Sequence, residues 1–165
     1  MIIGMRGHDF GRMEPRALAL AIREAGFEAT QLAFAKAFPA PAEQYMTPGA
    51  LSEIRSAFAG IVLPVMGCYV SASDRDPDVL AEAKARFKRS LSASVILGAG
   101  CVGTETTHFT FPESEREAAY ARLLDFTREV CAHAEQVHAL VGIEPVALHT
   151  LNTPELARRL IADVS

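Results

Sequence analysis

Two carboxylates occupy positions that ordinary packing does not call for. Glu144 lies in the apolar run Val141-Gly-Ile-Glu-Pro-Val-Ala-Leu148, and Glu105 in Gly103-Thr-Glu-Thr106. A carboxylate inside a covered strand costs on the order of several kcal/mol unless a cation or hydrogen-bond donors compensate it. A divalent metal or a proton-transfer reaction would use such a group. The plainer alternatives are a basic partner on a neighbouring strand for Glu144, and nearby hydroxyls and amides for Glu105. His8 and His149 follow other short apolar runs, as ligands for metal or substrate or as solvated loop histidines. His133 and His138 belong to a helical stretch and are expected at its surface or end. Cys68, Cys101 and Cys131 form no CxxC pair and read as reduced, buried small apolar residues.

These groups need a scaffold that brings together residues far apart in sequence. Along the chain the apolar period switches repeatedly between strand and helix. Strands are expected over Met1–Arg6, Phe27–Phe34, Ile61–Val70, Cys101–Thr107 and Val141–Leu148. Helices are expected from Pro15 to Ala25, from Pro48 to Phe58, from Pro77 to Leu97, from Glu113 to about Ala139, and from Pro154 through Ile161. Glu14-Pro15, Thr47-Pro48, Asp76-Pro77 and Thr153-Pro154 are start signals, and Gly26, Gly60 and Gly98 are stops.

Five strand–helix units imply a parallel sheet with right-handed crossovers. An open doubly wound sheet competes with part of a (β/α)8 barrel, whose full form needs about 250 residues and three more units. Gly4-Met-Arg-Gly7 runs into His8-Asp-Phe10 and not into a GxGxxG turn, which disfavours a dinucleotide site. Polar residues gather instead after several strands: Arg6, His8 and Asp9; Cys68, Tyr69 and Ser71; Thr104 to His108; Glu144 and His149. Parallel strands would carry them to one rim, where a barrel keeps its active site. The expectation is an α/β fold over residues 1–165, a single domain forming a partial TIM barrel of five parallel strands each followed by a helix.

Composition removes other function classes. Half of the 165 residues are hydrophobic and 22% charged, with a net charge of −4, so no basic field awaits nucleic acid or anionic lipid. The Lys84, Arg86, Lys88 and Arg89 group reads as a solvated helix face. No apolar run approaches the ~20 residues of a membrane span, and no signal peptide is recognisable. With reduced thiols this points to the cytoplasm.

The segments Leu63-Pro-Val-Met-Gly-Cys-Tyr-Val70, Val102-Gly-Thr-Glu-Thr106, and Gly142-Ile-Glu-Pro-Val146 with His149 and Asn152-Thr-Pro-Glu155 resemble, in order and spacing, the xylose isomerase-like barrels. The closer resemblance is to their sugar phosphate isomerase/epimerase branch. It implies a divalent metal (Mn, Mg, Zn or Co), with Glu144 in the place of the family's first metal ligand. It implies catalytic roles for Glu144 and Glu105, and substrate contacts from His8, Tyr69 and His149. The substrate would be a small sugar or sugar phosphate, isomerised by proton transfer between adjacent carbons. A related endonuclease branch acts on DNA, and the acidic charge balance argues against it. The family's other three metal ligands come from strands six to eight, so this chain alone is expected to be inactive. The alternative is a non-catalytic partial barrel that self-associates through its open sheet edges as a homo-oligomer.

Overall fold

Proline and short polar residues set where the helices begin. In the computed structural model, which describes residues 1–165, four helices open on proline: α1 (Pro15–Glu24), α3 (Pro48–Ala57), α4 (Pro77–Leu97) and α6 (Pro154–Val164). Proline lacks an N–H that the first turn could not have used. Thr47, Asp76 and Thr153 accept backbone N–H bonds at three of these starts, each such cap contributing about 1 kcal/mol. Gly98 closes α4 in the left-handed conformation, φ 70°, where a side chain would be strained. The remaining helices are the one-turn α2 (Phe34–Ala37) and the long α5 (Arg116–Val137), which ends on His138 at φ 57°.

The strands are β1 (Gly4–Arg6), β2 (Ala29–Gln31), β3 (Val65–Gly67), β4 (Cys101–Glu105) and β5 (Val141–Glu144). All five match expected strands but are shorter. Phe34 turns into α2 and does not extend β2, and the run after Glu144 leaves the sheet at Pro145. Pairing is parallel throughout: β1 with β2, β3 with β4, β4 with β5. Single bridges, Ala29 to Val62 and Leu32 to Met66, join β2 to β3. Between them the third strand carries one more residue than the second, a bulge containing Pro64, whose missing N–H is harmless there. The strand order is therefore 1-2-3-4-5. A doubly wound sheet would reverse direction partway; this one does not, and the chain forms five consecutive units of a (β/α)8 barrel.

The core lies between the sheet and its helices. Phe87 of α4 and Phe126 of α5, both fully buried, meet edge to face with centroids 5.5 Å apart. Lys84 bonds Asp125 at 2.6 Å and Glu129 at 2.7 Å, and Lys88 bonds Glu129 at 2.5 Å. Lys84 and Lys88 are therefore half of an interhelical ion-pair network, while Arg86 and Arg89 stay partly exposed on α4. Burial lowers the Lys84 pKa, but its two carboxylate partners outweigh that and hold it above its ordinary value. Of the thiols only Cys68 is buried; Cys101 and Cys131 are partly exposed, and all three are free. No helix is long and apolar enough to cross a membrane.

Phe87→Ala removes a ring from the centre of this packing and is expected to cost about 3–5 kcal/mol. Urea unfolding measures it; a loss below about 1 kcal/mol would mean that the α4–α5 contact is not a main stabilising element.

Candidate functional site

Alternation along the strands sorts side chains between the helix layer and the concave face. On β4, Val102 and Thr104 are buried under helices, so Cys101, Gly103 and Glu105 face the other way. The register pairs Gly103 with Gly142 and Glu105 with Glu144. The same rule places Arg6, Gln31 and Gly67 on the concave side, since Arg6 pairs with Gln31 and Gly67 with Gly103. Gly67 leaves little room there. A Cβ would come within 3.0 Å of the Ala33 side chain and 3.1 Å of the Tyr69 ring.

Tyr69 is the hub of this face. Its hydroxyl accepts a 3.0 Å hydrogen bond from the Gln31 amide, which leaves its own proton available to an acceptor. The Lys36 ammonium sits 3.5 Å above its ring centroid. Burial raises the phenol pKa, the Gln31 bond opposes the rise, and the nearby charges of Glu105 and Glu144 add to it. A shallow groove of about 320 Å³ is lined by Gln31, Tyr69, Gly103 and Glu144, and a second of about 390 Å³ by Tyr69, Glu105, Thr106 and His108.

The structure thus brings Glu105, Glu144 and Tyr69 together at the C-terminal rim. Glu144 is exposed and Glu105 half-buried, so the cost of a buried carboxylate does not arise at Glu144 in this chain. Neither carboxylate has an ion-pair or hydrogen-bonding partner, against the expected basic partner or hydroxyl shell. His8 is half-buried, with Nδ1 buried and unpartnered. Burial first, and then the Lys36 charge, holds its imidazole below the ordinary 6.5. His149 packs against His108, centroids 5.6 Å apart, and its Nδ1 is also buried without a partner. Arg6 pairs with Asp9 at 3.0 Å. His133 lies on α5 and bonds Ser92 at 3.1 Å.

Buried hydroxyls fix the loops that carry these groups. The Thr107 hydroxyl accepts from the Ser73 N–H at 2.8 Å, and the Ser73 and Thr150 hydroxyls bond at 2.7 Å. The Leu151 N–H donates to the Thr106 hydroxyl at 3.1 Å. Arg116 donates to the carbonyls of His149 and Thr150, both at 3.2 Å. The exits of β3, β4 and β5 are therefore tied to one another. Lys36 is the functional candidate that sequence reasoning missed. Its signal was a lone cation in Phe34-Ala-Lys-Ala-Phe38 just after the second strand.

A family model described as xylose isomerase-like TIM barrel matches residues 19–165. The chain belongs to that family. No curated protein sequence matches it. Among solved structures, 3-keto-D-glucoside 4-epimerase from E. coli superposes at a TM-score of 0.81 with 17% identity, over 99% of this chain and 64% of the epimerase. D-psicose 3-epimerase, solved in the presence of D-fructose, gives 0.75 and 20%, over 100% and 60%. The IOLI protein with bound zinc gives 0.76 and 17%, over 99% and 59%. This xylose isomerase-like chain therefore spans about three-fifths of the length of these structures, and at such identities the likeness establishes the fold.

For a metal, the fit within the chain is incomplete. Glu105, Glu144 and the histidines form no cluster of three donors able to hold an ion.

Because the folded state favours neutral His8, the unfolded chain binds more protons once pH falls below about 6.5, and stability drops. The wild type is expected to lose more stability than His8→Gln between about pH 7.5 and 5.5. Equal losses in urea titrations at the two pH values would show that His8 contributes nothing to the pH dependence.

Proposed function

We propose that this rim binds a small sugar or sugar phosphate and supplies carboxylates for an isomerase- or epimerase-type proton transfer. The observation that carries the reading is the pair of unpartnered carboxylates, Glu105 and Glu144, in register on adjacent strands beside the Tyr69 hydroxyl. A carboxylate can remove the proton from a carbon next to a carbonyl, and the resulting enediolate takes a proton back at the neighbouring carbon or on the opposite face. Lys36 and the free Tyr69 proton are donors suited to the developing oxyanion. His8 and His149, which follow β1 and β5, are the further candidate substrate contacts. The epimerases among the structural neighbours support the reaction class, and the D-fructose of one supports a sugar ligand. The zinc of another supports a divalent metal in the family. An ion of that kind (Mn, Mg, Zn or Co) would meet Glu144 and need donors beyond those this chain assembles. The three free thiols suit a reducing compartment such as the cytoplasm.

Binding of D-fructose to the chain, followed by saturation-transfer NMR, tests the reading. Glu105→Gln and Glu144→Gln are each expected to weaken it about tenfold, the worth of a charge-assisted hydrogen bond. Turnover is expected only where the barrel is completed, and Glu144→Gln should abolish it there. Fructose binding that ignores both substitutions would sink the assignment.

A second reading, self-association, is favoured by the outer edges of β1 and β5, which pair with no strand, and by Ile2 and Ile3, 60% and 54% exposed beside β1. Unpaired strand edges and exposed apolar groups invite association. Sedimentation equilibrium is expected to show dimers; a monomer at high concentration would remove this reading.

A further inference from the structure

A cleft of about 190 Å³ lies between α4 and the segment leaving β2, and shares Tyr69 with the groove over Glu144. Its polar lining is Lys36, Glu43, Tyr69, Arg86, Arg89 and Ser90. Residues 86, 89 and 90 are one helical turn of α4 and share a face, while Lys36 is presented by α2 across from them. Three cations thus face one carboxylate. Lys36 has no ion pair and rests on the Tyr69 ring. Arg86 reaches Glu43 only at 3.8 Å, with both side chains more than a third exposed. Arg89 bonds Glu82 at 2.8 Å, on its own helix and outside the cleft lining. Burial raises the pKa of the Cys68 thiol, which lines the cleft, and the Ser90 hydrogen bond and then the charges of Arg86 and Arg89 oppose that rise.

We propose that this cleft is an oxyanion subsite, taking a phosphate group on Lys36, Arg86 and Arg89. Guanidinium forks match tetrahedral oxyanions with two parallel hydrogen bonds, and a cluster of cations with a surplus of charge favours a dianion. The phosphate would displace Glu43 from Arg86, a long and exposed ion pair that costs little to break. Tyr69 and Arg86 also line the groove holding Glu105, Thr106 and His108. A ligand anchored by its phosphate in the cleft can therefore extend past Tyr69 to the carboxylates. That the remainder of the ligand is a sugar rests on the function proposed above; the oxyanion subsite does not.

Calorimetric titration of the full chain with inorganic phosphate, D-fructose and D-fructose 6-phosphate separates the two ideas. Phosphate is expected to bind saturably, and fructose 6-phosphate more tightly than phosphate or fructose alone. Arg89→Gln, at a side chain 47% exposed, should weaken both phosphate ligands about tenfold and leave fructose unchanged. Glu43→Gln should tighten phosphate about threefold, a gain that a misfolded variant does not give. Absence of phosphate binding, or binding indifferent to both substitutions, overturns the subsite. Arginine-dependent phosphate binding without any fructose binding upholds the subsite and removes the sugar reading. Phosphate bound as tightly as fructose 6-phosphate, with the same dependence on Arg89, upholds it as a site for free phosphate.

Discussion

Parallel strands alternate their side chains between two faces, so register alone decides which groups meet at the rim. Glu105 faces Glu144 because Val102 is paired with Val141 three residues earlier. A slip of one residue in β5 would turn Glu144 toward the helices and bring Ile143 to the concave face. That register is held from outside the sheet. The Phe87–Phe126 contact and the ion pairs of Lys84 and Lys88 lock α4 to α5, and these two helices flank β4 on the chain.

Strand register does not orient the loops beyond the strand ends, where His108, His149 and the second groove lie. Here the hydroxyls of Ser73, Thr106, Thr107 and Thr150 take over, each nearly or partly buried and each bonded to a neighbouring loop. Buried polar groups that are fully paired make a specific arrangement, because leaving any one unpaired costs about 1–3 kcal/mol. Arg122 adds a 2.9 Å bond to the Ser73 carbonyl and Arg116 holds the carbonyls of residues 149 and 150. Helix α5 therefore carries both the packing of the core and the shape of the rim.

The helices were legible in the sequence because their signals are local. Proline after a capping residue gave the starts of α3, α4 and α6, and Gly98 gave the end of α4. The strands were legible in type and order but not in length, because an apolar run reads the same whether or not its ends pair in the sheet. Of the candidate site, Glu105, Glu144 and Tyr69 could be placed on one rim from topology alone. Lys36 could not, since its position depends on a one-turn helix and on the Tyr69 ring beneath it. The ion pairs of Lys84 and Lys88 were likewise hidden, because the acidic partners lie a whole strand–helix unit away in sequence.

Two unpaired carboxylates on neighbouring strands repel each other, by roughly 1 kcal/mol across a strand spacing in water. The chain tolerates this because Glu144 is exposed and solvent screens the pair. Covering the rim would remove that screening and multiply the repulsion several-fold as the local dielectric falls. A covered rim must then bring a cation or donors between the carboxylates. Lys36 and the free Tyr69 proton are the donors already at hand, both anchored on the same ring. On the function proposed above, those donors would meet the developing oxyanion while a carboxylate takes the proton from carbon.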